Sequence, residues 1–160
     1  MADPEPLFPP GIIETDMQTL ERVCVFERPN NETRASLFSR LTIYFQQLSL
    51  IGVTLHVWVD GSFVTTKETP GDIDLCIWFN AKEMDGVNPD KQQLAATLLH
   101  TENKAQLRAR YGVDVYYAVH GDVNTRMYWR GCYGFIRETE QAKGIPEIVV
   151  GGRNESDSLA

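Results

Sequence analysis

Trp58-Val59-Asp60-Gly61-Ser62-Phe63, then a polar turn, then Pro70-Gly71-Asp72-Ile73-Asp74-Leu75-Cys76-Ile77-Trp78-Phe79: the chain sets two apolar runs around a Gly-Ser step and an Asp-x-Asp. Both runs have the length and composition of buried strands. Residues i and i+2 of a strand point to one face, so Asp72 and Asp74 project together where the second strand begins. Two like charges held that close are unfavourable, and the usual compensation is a divalent cation with oxygen ligands, often shared with a phosphate. Gly61 admits backbone angles that turn N–H groups towards an anion, and Ser62 adds a hydroxyl beside them. The stretch reads as a phosphate cradle facing a pair of metal-binding carboxylates.

Downstream, Tyr111-Gly112-Val113-Asp114-Val115-Tyr116-Tyr117 places a third carboxylate, Asp114, inside another strand-like run. A Gly-Ser, about ten residues, an Asp-x-Asp entering an apolar strand and a later strand-borne Asp together resemble the nucleotidyltransferase fold of the DNA polymerase beta superfamily. More closely, the chain is similar to a small bacterial family of that fold without an assigned activity. The matching features are Pro9-Pro10-Gly11, Asn31 and Arg34 opening a helix, the run Trp58 to Thr65, Tyr133-Gly134-Phe135, Arg137 and Lys143-Gly144-Ile145.

The resemblance implies a minimal α/β (α+β) domain, a small mixed sheet with flanking helices. It implies Asp72, Asp74 and Asp114 as catalytic metal ligands for Mg2+ or Mn2+, with a nucleoside triphosphate as substrate. Gly61 and Ser62 would meet its phosphates, and Lys67, Arg137 and Lys143 are the candidate cations around it. Many members carry a basic residue soon after the serine, whereas here Phe63-Val64-Thr65-Thr66 intervenes and Lys67 is the nearest cation. Arg137 and Lys143 have a competing reading as surface ion pairs with Glu138 or Glu140. Asp60, which precedes the glycine, is the weak member of the set and suits orienting the turn rather than binding metal.

Composition bounds these expectations. The 160 residues, 42% hydrophobic and 23% charged, suit one ordinary globular domain. No apolar run approaches a membrane span, and the acidic, proline-rich start lacks the features of a signal peptide, so a cytoplasmic protein is expected. A net charge of −7 argues against general electrostatic binding of long nucleic acid and less against a single triphosphate. Cys24, Cys76 and Cys132 are scattered, as are His56, His100 and His120, so neither a disulfide framework nor a zinc site is suggested.

In chain order, residues 1–30 read as an extended proline-rich strap and lead-in, with residues 16–27 open to either helix or strand. Residues 31–150 read as the nucleotidyltransferase-like domain, and residues 151–160 as a disordered polar tail. Leu37, Leu41, Tyr44 or Phe45, Leu48 and Ile51 recur at helical spacing, predicting a helix capped by Asn30 or Asn31 and closed at Gly52. Residues 80–90 read as a loop, followed by a helix through Leu94, Leu98, Leu99 and Leu107. Arg126 and Arg130 could reach phosphates. Tyr128, Trp129, Tyr133 and Phe135 suit either a base-stacking surface or the core.

Two function classes follow. The first is nucleotidyl transfer to a hydroxyl of a protein, RNA or small molecule. In this superfamily that activity occurs in bacterial toxin–antitoxin and phage-defence modules, though the common members of that group carry arginines after Gly-Ser, which this chain lacks. The second is a catalytically silent protein that holds a nucleotide or a partner; a third reading, metal-dependent phosphodiester hydrolysis, uses the same ions with water as the nucleophile. So small a domain leaves a homodimer or a partner protein to supply further contacts.

Overall fold

A computed structural model describes residues 3–137 and 139–151 of the chain. The strap leads into β1 (Gly11–Glu14), and then α1 (Met17–Glu21) begins at Asp16, whose side chain accepts from the Thr19 N–H. α1 runs on as a π-helical turn over Arg22–Phe26, so the lead-in is helical and sends Leu20, Cys24 and Val25 into the core. α2 (Glu32–Ser49) follows, with Leu37, Leu41, Tyr44, Phe45 and Leu48 on its buried face. Neither asparagine caps it as expected. Asn31 has its amide donating to the Val25 carbonyl at 2.9 Å, and Asn30 lies at φ 48 with its amide on Glu68.

β2 (Thr54–Asp60) and β3 (Ile73–Phe79) pair antiparallel with Asp60 opposite Asp74. The segment expected to be a loop instead holds α3 (Ala81–Asp85) and the start of α4 (Pro89–Leu99). The cause is local: the Asn80 side chain accepts from Glu83 N–H, and Asn88 accepts from Lys91 N–H with Pro89 at the first helical position. Leu107 sits on a separate helix, α5 (Lys104–Tyr111). That helix stops at Gly112, whose φ of +70 is left-handed and whose space is closed to a side chain by Leu37 Cδ2. β4 (Val113–Val119) then runs parallel to β3 with Asp114 opposite Asp74. α6 (Val123–Tyr133) and β5 (Gly144–Gly151) complete the described chain.

The sheet has five strands in the order β1-β5-β2-β3-β4 and mixes parallel with antiparallel pairs, so it is the small mixed α/β arrangement expected. β1 and β5 add two strands to the three legible in sequence. The lead-in packs onto the rest of the chain: β1 pairs with β5, and Leu20, Cys24 and Val25 belong to the same core as α2. Gly151 closes β5 rather than opening a tail, and residues 152–160 lie outside the described residues.

Alternation sorts the strand side chains into two cores. Leu55, Val57, Val59, Leu75, Ile77, Val113, Val115 and Ile148 join the helices α2, α4 and α5 on one face. Trp58, Cys76, Trp78, Ala118 and Ile145 form the second core on the other face, with Tyr133 and Trp129 of α6. Burying each valine, leucine or isoleucine among them contributes roughly 1.5–3 kcal/mol. Tyr44 ties two helices together as its hydroxyl donates to Leu98 O at 2.6 Å.

Candidate metal centre and phosphate cradle

Because β2 runs antiparallel to β3 while β3 runs parallel to β4, the end of β2 and the starts of β3 and β4 lie at one edge of the sheet. Asp60, Asp74 and Asp114 occupy matched register positions there, on the face that carries Trp58, Cys76 and Tyr116 two residues along. Asp72 precedes β3 by one residue. One carboxylate oxygen from each of Asp72, Asp74 and Asp114 comes within 4.8 Å of the others. The structure therefore brings together the three acids that the sequence singled out.

The donor set fits a hard divalent ion. All three ligands are oxygens, no thiol or imidazole intrudes, and Mg2+ or Mn2+ is held by such groups. Desolvation pushes the Asp74 carboxyl up to about 6, and the neighbouring Asp72 and Asp114 charges push the same way. A cation would reverse that cost.

Gly61 makes this approach of the strands feasible. Its φ is +85, and a Cβ there would lie 2.8 Å from Asp74 Oδ2, so both conformation and space require glycine. A single 3-10 turn over Ser62–Val64 follows, and the Ser62 hydroxyl makes no hydrogen bond among the described residues.

That turn is anchored from beneath by Arg34, a fully buried residue whose guanidinium pairs with no carboxylate among the described residues. Its Nη atoms donate to the carbonyls of Cys24 (3.0 Å), Phe63 (2.6 Å), Ser62 (3.3 Å), Thr65 (2.6 Å) and Lys67 (2.6 Å). Four of those carbonyls belong to residues 62–67, so one side chain fixes the path of the cradle. The outer side of the same segment pairs with the strap: Leu7 N–H donates to Val64 O and Thr66 N–H to Glu5 O. The backbone of this segment is thereby held on both sides.

The expected nucleotide-binding cations have different fates. Lys67 and Arg137 are exposed and line a cleft of about 990 Å3 beside Gly61, Ser62 and Asp74. Arg137 makes no ion pair with Glu140, and Glu138 lies outside the described residues. Lys143 also borders the cleft but is buried, with Nζ 2.9 Å from Asp60 Oδ1. Burial pushes the Asp60 carboxyl up to about 7, against the pull of the Lys143 charge. Asp60 thus faces Lys143 instead of the triad.

Two further cations escaped the sequence reading. Lys104 Nζ lies 2.8 Å from Asp114 Oδ1, and Arg108 Nη2 lies 3.2 Å from Asp72 Oδ2. The signal was present as i, i+4 cations on a helix leading directly into Asp114. In the Lys104–Asp114 and Lys143–Asp60 pairs the ammonium reaches a buried Oδ1 of the aspartate.

The aromatic alternatives divide. Tyr133 is core and Trp129 packs on Tyr116 and Tyr133, while Tyr128 and Phe135 are exposed and Phe135 lines the cleft. Arg126 lies over the Trp58 ring at 5.1 Å, and Arg130 borders a separate groove with Met127. His56 and His120, far apart in sequence, meet edge to face at 5.0 Å, and neither joins the acidic group. All three cysteines are free; Cys24 and Cys76 are core residues whose thiols burial pushes up to about 12, and Cys132 is exposed at the cleft. No helix among the described residues is long and apolar enough to cross a membrane.

No curated protein and no solved structure matches the chain. A family model described as a family of unknown function (DUF6932) matches residues 1–149. The chain belongs to that family.

Proposed function

We propose that this protein is a divalent-metal-dependent nucleotidyltransferase that moves a nucleoside monophosphate from a nucleoside triphosphate to a hydroxyl acceptor. The observation that carries the reading is the convergence of Asp72, Asp74 and Asp114 within 4.8 Å, beside the Gly61-Ser62 turn. Three acids brought together at one sheet edge have an evident chemical use in holding cations, and a neighbouring anchored turn has one in receiving phosphate. Bound magnesium or manganese would lower the pKa of the acceptor hydroxyl and stabilise the charge developing in an in-line displacement of pyrophosphate.

The chain's own residues set the rest. Gly61 keeps the cradle against Asp74, and Arg34 holds the 62–67 backbone in place as a positioning residue. Lys67 and Arg137 line the cleft from exposed positions, where they can meet triphosphate oxygens. Lys143 contributes through Asp60, fixing the end of β2. The acceptor class, protein, RNA or small molecule, and a toxin–antitoxin or phage-defence setting belong to the same proposal and rest on resemblance alone.

A silent binding protein is the second reading, and one observation favours it: Lys104 and Arg108 pair with Asp114 and Asp72 and offset their charge. Incubation with each triphosphate labelled at the alpha phosphate, with magnesium or manganese and host lysate, separates the two. Transfer predicts label on an acceptor, and none with the Asp72→Ala, Asp74→Ala double variant. Triphosphate binding without label movement in any arm supports the silent reading, and released labelled monophosphate without acceptor labelling indicates hydrolysis.

A further inference from the structure

Lys104 and Arg108 stand one helical turn apart on α5, and each reaches a different outer carboxylate of the triad. Asp74, the central acid, has no such partner among the described residues. The contacts are asymmetric in strength. Lys104 is only about a third exposed and lies over the Tyr116 ring with Nζ 3.5 Å from the centroid, while the Arg108 side chain is 62% exposed.

The Lys104 ammonium touches Asp114 Oδ1 and the Arg108 guanidinium touches Asp72 Oδ2, so each sits against a carboxylate that would hold the ion. They also cancel charge that attracts it. We propose that Lys104 and Arg108 are tethered counter-cations that compete with the divalent ion for the triad and thereby set its affinity and its preference for high charge. This inference rests on the metal-binding reading above.

Competition has a structural consequence. Entry of a divalent ion displaces two single positive charges, an exchange that a monovalent ion lacks the charge density to drive. Lys104 lies over the Tyr116 face while it touches Asp114, so the cation–π attraction remains to it when the carboxylate is taken by the ion. Lys104 and Arg108 are thus specificity-determining residues for the metal site, acting on which cations the triad accepts.

The test is calorimetric titration of MnCl2 into metal-free protein: wild type, the Lys104→Gln, Arg108→Gln double variant, and Arg110→Gln as a control. Arg110 shares α5 but lies over Tyr111 rather than the triad, so its removal reports the general effect of losing positive charge on this helix. Competition predicts that the double variant binds Mn2+ tighter by between about 5-fold and 150-fold, with Arg110→Gln close to wild type. It also predicts that the metal-free double variant melts lower and gains more on adding Mn2+, because the carboxylate repulsion is then unrelieved.

Equal affinity in the double variant and wild type, weaker binding in the double variant, or an equal gain in Arg110→Gln overturns the inference while leaving the metal site in place. Absence of Mn2+ binding in every protein, with thermal melts showing each one folded, overturns the metal reading and this inference with it.

Discussion

Lys143 shows how differently one residue can be used from what its type suggests. In sequence this lysine reads as a phosphate contact, yet its ammonium is buried against Asp60 at the end of β2. Nothing local announces this, because the pair forms only when β5 docks beside β2. Removing one member strands the other. Lys143→Met is expected to lower stability by roughly 3–5 kcal/mol, the usual cost of an uncompensated buried charge, less what Asp60 recovers by taking up a proton. An Asp60→Asn, Lys143→Met double variant should lose less than the single variant, measured by urea unfolding. Equal or greater loss in the double variant would show that the pair does not act as a unit.

The acids themselves were the most legible residues. Period-two alternation put Asp72 and Asp74 on one face from sequence alone, and the apolar flanks of Asp114 marked it as strand-borne. Their convergence was not legible in the same way, since the Asp74–Asp114 register is a property of parallel pairing between strands separated by α3, α4 and α5. Lys104 and Arg108 were overlooked because helical cations most often face solvent, and only tertiary placement distinguishes these two.

Among the elements, the turn after β2 owes its shape to a distant helix. Residues 62–67 have little regular structure beyond one 3-10 turn, and Arg34 of α2 gathers four of their carbonyls. Arg34→Met would leave those oxygens without their charged donor in a dry setting. It is expected to cost at least about 3 kcal/mol in urea unfolding, since each orphaned buried acceptor costs about 1–3 kcal/mol. A loss under about 1 kcal/mol would mean that the other donors to these carbonyls suffice.

Element prediction failed where caps or partners overrode pattern. Asn80 and Asn88 convert a loop-like composition into two helix starts, and Asn31 turns away from the helix it was expected to cap. β5 was hidden because its apolar run contains Pro146, an unfavourable residue for an interior strand. Its pairing with both β1 and β2 is what joins the strap to the sheet.

For the molecule as a whole, charge near the site governs stability against pH. The carboxyls of Asp60 and Asp74 are raised to about 7 and about 6 in the folded protein from an ordinary 3.8. Between pH 4 and 7 the folded state therefore holds more protons than the unfolded chain. The stabilising contribution of these groups is complete below about pH 4 and is lost as pH rises through 6 and 7. In EDTA, melting temperature should fall from pH 5 to pH 7.5 on this account, and Asp74→Asn should flatten part of the slope. Added magnesium should stabilise more as pH rises across the same window, because Asp74 must give up its proton to serve as a ligand. A magnesium effect that shrinks with rising pH would remove Asp74 from the ligand set.

The central claim is that Asp72, Asp74 and Asp114 share a divalent ion, and the most direct measurement is crystallographic. Crystals grown with MnCl2, with anomalous difference maps recorded on both sides of the manganese edge, are predicted to show a peak bridging the three carboxylates, with Lys104 and Arg108 withdrawn from it. A manganese peak elsewhere, with the triad still holding only those two cations, would contradict the account.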